Sequence, residues 1–169
     1  MAGDASLIKV RESGDVFIWD NSTTYVPGTS APTDSSVALA TGWKAAGLML
    51  GDPGVGITRS IERTDVNSWQ QGRVLERLNN PKVDLNFTLL EDNPTVLELV
   101  GQDSVPTVSK RYLLLEFLLE DGKKERWVSK AEARLFVSSD DLGQDVKGRE
   151  ISASLVPVAG KYWTILPPK

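Results

Sequence analysis

The chain has 169 residues, 40% of them apolar and 25% charged, carries a net charge of −4, and contains neither cysteine nor histidine. This suffices for one globular domain, 1–169, with a core of its own. The absences remove disulfides, thiolate metal sites, the commonest general base and the commonest metal ligand, and the acidic balance argues against a nucleic-acid-binding surface. The longest apolar run, Tyr112 to Leu115, is too short to span a bilayer. The opening stretch from Met1 to Asp15 lacks the apolar region of a secretory signal, so synthesis in the cytoplasm is expected.

In chain order, 1–12 reads as a polar arm in which Leu7, Ile8 and Val10 could dock on a neighbour. Val16-Phe17-Ile18-Trp19 is the first strand, ended by Asp20-Asn21-Ser22. The segment 22–40 is rich in Thr, Ser, Pro and Gly. It offers little to bury, and is either a surface loop or a segment that orders against another subunit. Gly47 to Leu50 suggests a short strand. The glycines of Gly51-Asp52-Pro53-Gly54-Val55-Gly56 read as a turn rather than a phosphate cradle, because a strand and not a helix follows. Thr58 to Arg63 alternates, and Thr64 to Gly72 breaks the pattern around Trp69. Arg73 to Leu78 is the next strand, and Asn79-Asn80-Pro81 turns it into another.

In that following strand Val83, Leu85, Phe87 and Leu89 point one way and Lys82, Asp84, Asn86 and Thr88 the other. The period then changes. Asn93 suits an N-cap, Pro94 the first helical position and Gly101 the C′ position, which predicts a helix of about two turns. Gln102 to Lys110 is a linker. Arg111 to Glu120 and Lys124 to Ser129 form a hairpin through Asp121-Gly122. Leu113, Leu115, Phe117 and Leu119 make one row, and Leu114 and Leu118 lie opposite, so this strand is buried twice, the second time by the helix or by a neighbouring subunit. Arg134 to Val137 continues the sheet, Ser138 to Asp145 is an acidic loop without EF-hand spacing, Arg149 to Val156 alternates, and Tyr162 to Leu166 is the last strand.

No catalytic constellation emerges, and no cofactor or metal is expected. Glu116 and Glu120 share a face, but four strand residues separate them by about 13 Å, beyond glycosidase geometry; both read as surface charge. The predicted fold is mainly β with one short α-helix, an antiparallel sandwich or partial barrel. Open sheet edges on identical copies can meet head to tail and close a ring. The polar faces available for its inner wall carry Arg73, Glu76, Arg77, Asp84, Asn86, Thr88, Glu150, Ser152 and Ser154. Trp69, Leu114 and Leu118 are candidate subunit contacts, and Trp69 could equally close one end of the core.

The run FTLLEDNPTVLELVG, preceded by strands, a variable loop and a Gly42-Trp43-Lys44 segment, resembles the major tail tube proteins of long-tailed, siphovirus-like bacteriophages. The likeness extends from about Val16 to about Leu166 and is strongest from Gly42 through Gly101. It implies a tail tube fold, hexameric rings stacked into a hollow virion tail, and a bore for the genome. The implied partners are the chain itself, a tape measure protein in the lumen, tail terminator and distal tail proteins, and double-stranded DNA passing without specific binding. An acidic or neutral wall would let phosphate slide, and a non-contractile tail fits better than a contractile one. Two alternatives stand beside it. One is a bacterial secretion-tube ring protein of the type VI kind. The other is a carbohydrate-binding sandwich with Trp43, Trp69 or Trp163 as sugar platform, which requires those rings to be exposed and coplanar.

Overall fold

A computed structural model describes residues 11–51, 54–69, 72–90, 93–100, 105, 107–141 and 148–169; for 67–68, 72–77, 95, 99 and 141 only the backbone is described. Most of the N-terminal arm and the proposed C′ glycine Gly101 lie outside the described residues; of the expected acidic loop from Ser138 to Asp145, Ser138 to Asp141 are strand and 142–145 lie outside the described residues.

Among the described residues ten strands and one helix follow in order: β1 Arg11–Trp19, β2 Trp43–Ala45, β3 Gly56–Ser68, β4 Gly72–Leu89, α1 Pro94–Val100, β5 Ser109–Arg111, β6 Leu113–Leu119, β7 Lys124–Ser129, β8 Ala133–Asp141, β9 Gly148–Leu155 and β10 Trp163–Leu166. They make two antiparallel five-stranded sheets, ordered β10-β7-β6-β1-β2 and β3-β4-β9-β8-β5. The chain passes between sheets at Tyr112: β5 pairs with β8, whereas β6 pairs with β1 and β7. The strand expected over Arg111 to Glu120 is therefore two strands. The expected strand at Gly47 to Leu50 is only a bridge from Met49 to Leu89, and the short strand lies earlier, at β2.

The alternation read in the sequence sets the core. Val83, Leu85, Phe87 and Leu89 of β4 and Ile151, Ala153 and Leu155 of β9 face Val16, Ile18, Leu113 and Leu115 of the opposite sheet. The helix seals this layer with Val96 and Val100, lying against β2 and β8. Its first turn closes as expected, Leu97 N–H donating to the Asn93 carbonyl at 3.0 Å.

Asn79-Asn80-Pro81 does not turn the chain. β4 runs straight through it, and β3 runs opposite it without a break at Thr64. Ser60 pairs with Lys82 and Glu62 with Asn79, so Ile61 alone opposes Asn80 and Pro81. This is a bulge, made affordable by Asn80 at φ 52°, a left-handed conformation that asparagine tolerates better than most side chains.

The segment 22–40 is the larger departure. It contains no strand or helix, as a loop does, but it packs on its own chain: it lies over the outer face of the β10-β7-β6-β1-β2 sheet and buries a second apolar cluster of Trp19, Trp43, Leu114 and Val128, with Tyr25, Ala31 and Leu39 packed above. Tyr25 stacks on Tyr112 with ring centroids 3.7 Å apart and meets Trp19 and Trp43 edge-on. The two indole N–H groups hold the strap's backbone, Trp19 to the Thr23 carbonyl at 3.1 Å and Trp43 to the Ser30 carbonyl at 2.8 Å. Its far end is tied by Ser35 to the Pro167 carbonyl and by Asp34 to Lys169 at 2.7 Å.

Gly42 is where the chain leaves this strap. A Cβ there would lie 2.6 Å from the ring of Trp19, which is buried and hydrogen-bonded and cannot swing aside. Gly42→Ala is expected to cost about 1–3 kcal/mol, read as a fall in thermal unfolding temperature with the near-ultraviolet tryptophan signal altered.

Burial, and then the neighbouring Tyr112, push the Tyr25 phenol up to about 12 from 10.0. A raised folded pKa means stability complete below the unfolded value of 10.0 and lost as pH rises toward about 12. Phenolate absorbance should show one tyrosine titrating near the upper value. Tyr25→Phe should delete that step and flatten the alkaline fall in stability.

Candidate assembly surface

The outward faces of β4 and β9 bring six of the residues read as wall positions into direct cross-strand register. Asp84 opposes Ser154, Asn86 opposes Ser152 and Thr88 opposes Glu150. All six are half-buried, between the core side of their strands and open solvent. The face continues onto β3 through Thr58, opposite Asp84, and onto β8 through Arg134, opposite Ser154. Its charges are largely internal. Lys82 pairs with Asp84 at 2.9 Å, and Glu150 accepts from the Ser139 hydroxyl at 3.0 Å. Arg134 is exposed, so the face is mixed rather than neutral-to-acidic throughout. The side chains of Arg73, Glu76 and Arg77 lie outside the described residues; their backbone belongs to the part of β4 beyond the bulge.

That part is a two-stranded ribbon. β4 pairs with β9 only from Val83 to Leu89, whereas its pairing with β3 continues out to Ser68 and Gly72. Beyond the bulge the ribbon therefore projects past the sandwich, with neither sheet against it among the described residues. Ile61, Val66 and Leu78 are exposed on it, and Trp69 at its tip is wholly exposed. A hairpin bearing four large apolar groups in water is marginal alone, and such a patch is the ordinary mark of an interaction surface. Among the described residues no strand pairs with the outer edge of β3, nor with the outer edge of β8 beyond Leu135, because β5 covers only Ala133 to Leu135.

Of the three subunit contacts expected from sequence, Trp69 is free to be one and closes no part of the core. Leu114 is not: it is fully buried under the chain's own strap, which supplies the second covering layer that β6 requires. Leu118, four residues further along the same face of β6, is half-buried. Of the three rings named for a sugar platform, Trp43 is buried and Trp163 is half-buried, packed toward Trp127, whereas Trp69 is exposed, so the three do not form one exposed surface.

Glu116 is not surface charge. It is buried on the outer face of β6, directly opposite Arg126, and accepts from Arg126 at 2.6 Å and Lys124 at 2.7 Å. Burial alone would raise its pKa; the two cationic donors outweigh this and hold the carboxyl below its usual 4.5. Nη1 of Arg126 reaches the strap, donating to the carbonyls of Asp34 and Val37. On the inner side, buried Glu125 accepts from Trp127 Nε1 at 2.7 Å and from Arg11, whose guanidinium lies over the rings of Phe117 and Trp127. Residue spacing signals none of this beyond placing Glu116 and Arg126 in one hairpin. Among the described residues no group of three or more carboxylates is arranged to hold a metal.

A scan against protein-family models found no match for this sequence, and a search of curated proteins found no relative.

Proposed function

We propose that this chain is a structural ring protein whose copies stack into a hollow tube, in the manner of the major tail tube protein of a non-contractile phage tail, the family the sequence resembles. The observation that carries the reading is the open β3-β4-β9-β8 sheet with its projecting apolar ribbon. Its four long strands alternate in direction, so a copy set head to tail, with its β8 beside the β3 of the first, meets it antiparallel without any strand being reversed. The polar rows of Asp84, Asn86, Thr88, Glu150, Ser152 and Ser154 would then form a continuous inner wall, the second sheet and its strap lying outside.

In that role the ring is hexameric and sits in a virion tail. A tape measure protein occupies the lumen during assembly, terminator and distal proteins close the ends, and DNA passes without specific binding. A wall whose cations are mostly paired with carboxylates holds polyanion weakly. The role is structural rather than catalytic. Negative-stain imaging and sedimentation of the purified chain at high concentration test this: rings or hollow filaments are expected, and a monomer persisting to about millimolar concentration would overturn it, since multi-strand edge interfaces associate far more tightly than that.

A further inference from the structure

The β3–β4 ribbon projects from one end of the sandwich. Its base is fixed there by the Tyr162 hydroxyl, which donates to the Pro81 carbonyl at 2.9 Å. From Glu62 to Ser68 it reaches about 20 Å further. At the other end of β4, the segment from Leu48 to Leu50 lies along Thr88 to Leu90 through two backbone hydrogen bonds of 2.9 Å. Beside it opens a groove of about 480 Å³. Leu48, Met49, Val55 and Phe117 give the groove an apolar lining, and Gly51 leaves part of its wall without a side chain. Leu48 is 63% exposed.

We infer that this groove receives the ribbon of a second copy of the chain, Trp69 leading, an inference that rests on the tube reading above. Ribbon and groove stand at opposite ends of the same strand. A copy translated along β4 therefore brings one to the other with no change of polarity, and the contact repeats as an open heterologous series. Stacking needs a contact of this kind, and it leaves the sheet edges available to close each ring. The surfaces match in character. A wholly exposed tryptophan and three exposed aliphatic groups meet an apolar recess whose volume lies within the ordinary ~300–1,000 Å³ of binding pockets. Charge agrees. Glu12 and Asp15 are exposed on the groove's rim and make no ion pair among the described residues. The ribbon from Arg63 to Leu78 carries three arginines against two carboxylates, Asp65 and Glu76.

Three other grooves fit less well. Those of about 580 and 510 Å³ are both lined by Lys130, whose N–H donates to the Tyr162 carbonyl, so they adjoin the base of the ribbon. They lie a sandwich's length beyond the first surface that an arriving tip meets. The third, of about 450 Å³, opens at the far end beside the β6–β7 turn, but Lys123, Lys124, Arg126 and Lys169 wall it. A ribbon with an excess of arginine and an apolar tip has nothing to gain against four cations.

Gly51 offers a direct test, because a Cβ added there meets nothing within 4 Å. Gly51→Phe is expected to fill the groove, leave the urea midpoint of the isolated chain unchanged and weaken assembly at least about tenfold. Assembly equal to that of the wild type would overturn the contact. The absence of native cysteine permits a second test that keeps Trp69 and the apolar lining in place. Ser68→Cys combined with Glu12→Cys, treated with a short bismaleimide after assembly, should give a ladder of linked chains on a denaturing gel, and neither single variant should extend past a dimer. Should Gly51→Phe shift the midpoint, the ladder decides alone. Rings or filaments that form without the ladder would overturn the groove contact, leave the tube reading standing and assign the groove to another occupant, such as the 1–10 arm. A wild-type chain that never associates would overturn both.

Discussion

Glu116→Ala is expected to lower the free energy of unfolding by about 3–5 kcal/mol at neutral pH, the range for removing one partner of a buried ion pair. The argument is one of what remains. Lys124 is half-exposed and turns to water, but Arg126 is buried and left with only the strap carbonyls of Asp34 and Val37. A guanidinium without its counter-charge must then draw water into the layer under the strap or release the strap altogether. Urea unfolding should show the loss, and hydrogen exchange should show faster exchange across 23–40 before any change in the inner sheet layer. Glu116→Leu paired with Arg126→Met should cost much less than the single change, because no charge is then stranded.

The same group contributes to acid sensitivity, beside Asp34 and Asp20, whose carboxyls are also held below their ordinary value. Its folded pKa lies below the usual 4.5, so its contribution is whole above that value and disappears as pH falls through the folded pKa. Wild-type stability should decline below about pH 4.5 more steeply than that of Glu116→Gln, which has no carboxyl to protonate. A single change costing under about 1 kcal/mol would place the pair among weak surface bridges and refute this account.

The inner layer was legible because each of its strands has one clean apolar row. Period-two alternation in Val83 to Leu89 and Ile151 to Leu155 and the Asn93-Pro94 helix start need no tertiary information, and the structure places them as read. The strap was not legible, for a physical reason. Its composition is polar, and only a handful of side chains, Tyr25, Ala31 and Leu39, are spaced to meet a surface made by β1, β2, β6 and β7. What holds it is largely its backbone carbonyls accepting from Trp19, Trp43 and Arg126, and backbone acceptors leave no trace in a sequence. The continuous β4 was misread because Asn-Asn-Pro has the chemistry of a turn and of a bulge alike; the pairing partner β3 decides between them. For the assembly surface, the opposed polar rows of β4 and β9 followed from alternation, whereas the mistaken choice of Leu114 followed from supposing that a polar loop could not be a cover.

Replacing the ribbon's apolar groups together, Trp69→Ser with Ile61→Thr, Val66→Thr and Leu78→Lys, is expected to weaken self-association by at least about a hundredfold, because exposed aromatic and aliphatic anchors of this kind contribute roughly 1–3 kcal/mol each when buried at an interface. The isolated chain should scarcely notice. None of the four touches the buried clusters, and all are solvent-exposed, so each change should move unfolding stability by no more than about 0.5 kcal/mol. Three are threonine or serine substitutions at exposed positions, and threonine keeps β-branching on the strand, so the ribbon's pairing persists. Sedimentation velocity read beside urea unfolding separates the two effects. Loss of association with an unchanged unfolding midpoint is the expected result. A variant that unfolds early would instead make the ribbon part of the monomer's own stability, and one that assembles as the wild type does would remove the ribbon from the interface. The asymmetry follows from where the sequence spends its hydrophobic residues: those of β4 from Val83 onward are covered by this chain, and those described on the β3–β4 ribbon beyond the bulge are left for another surface to cover.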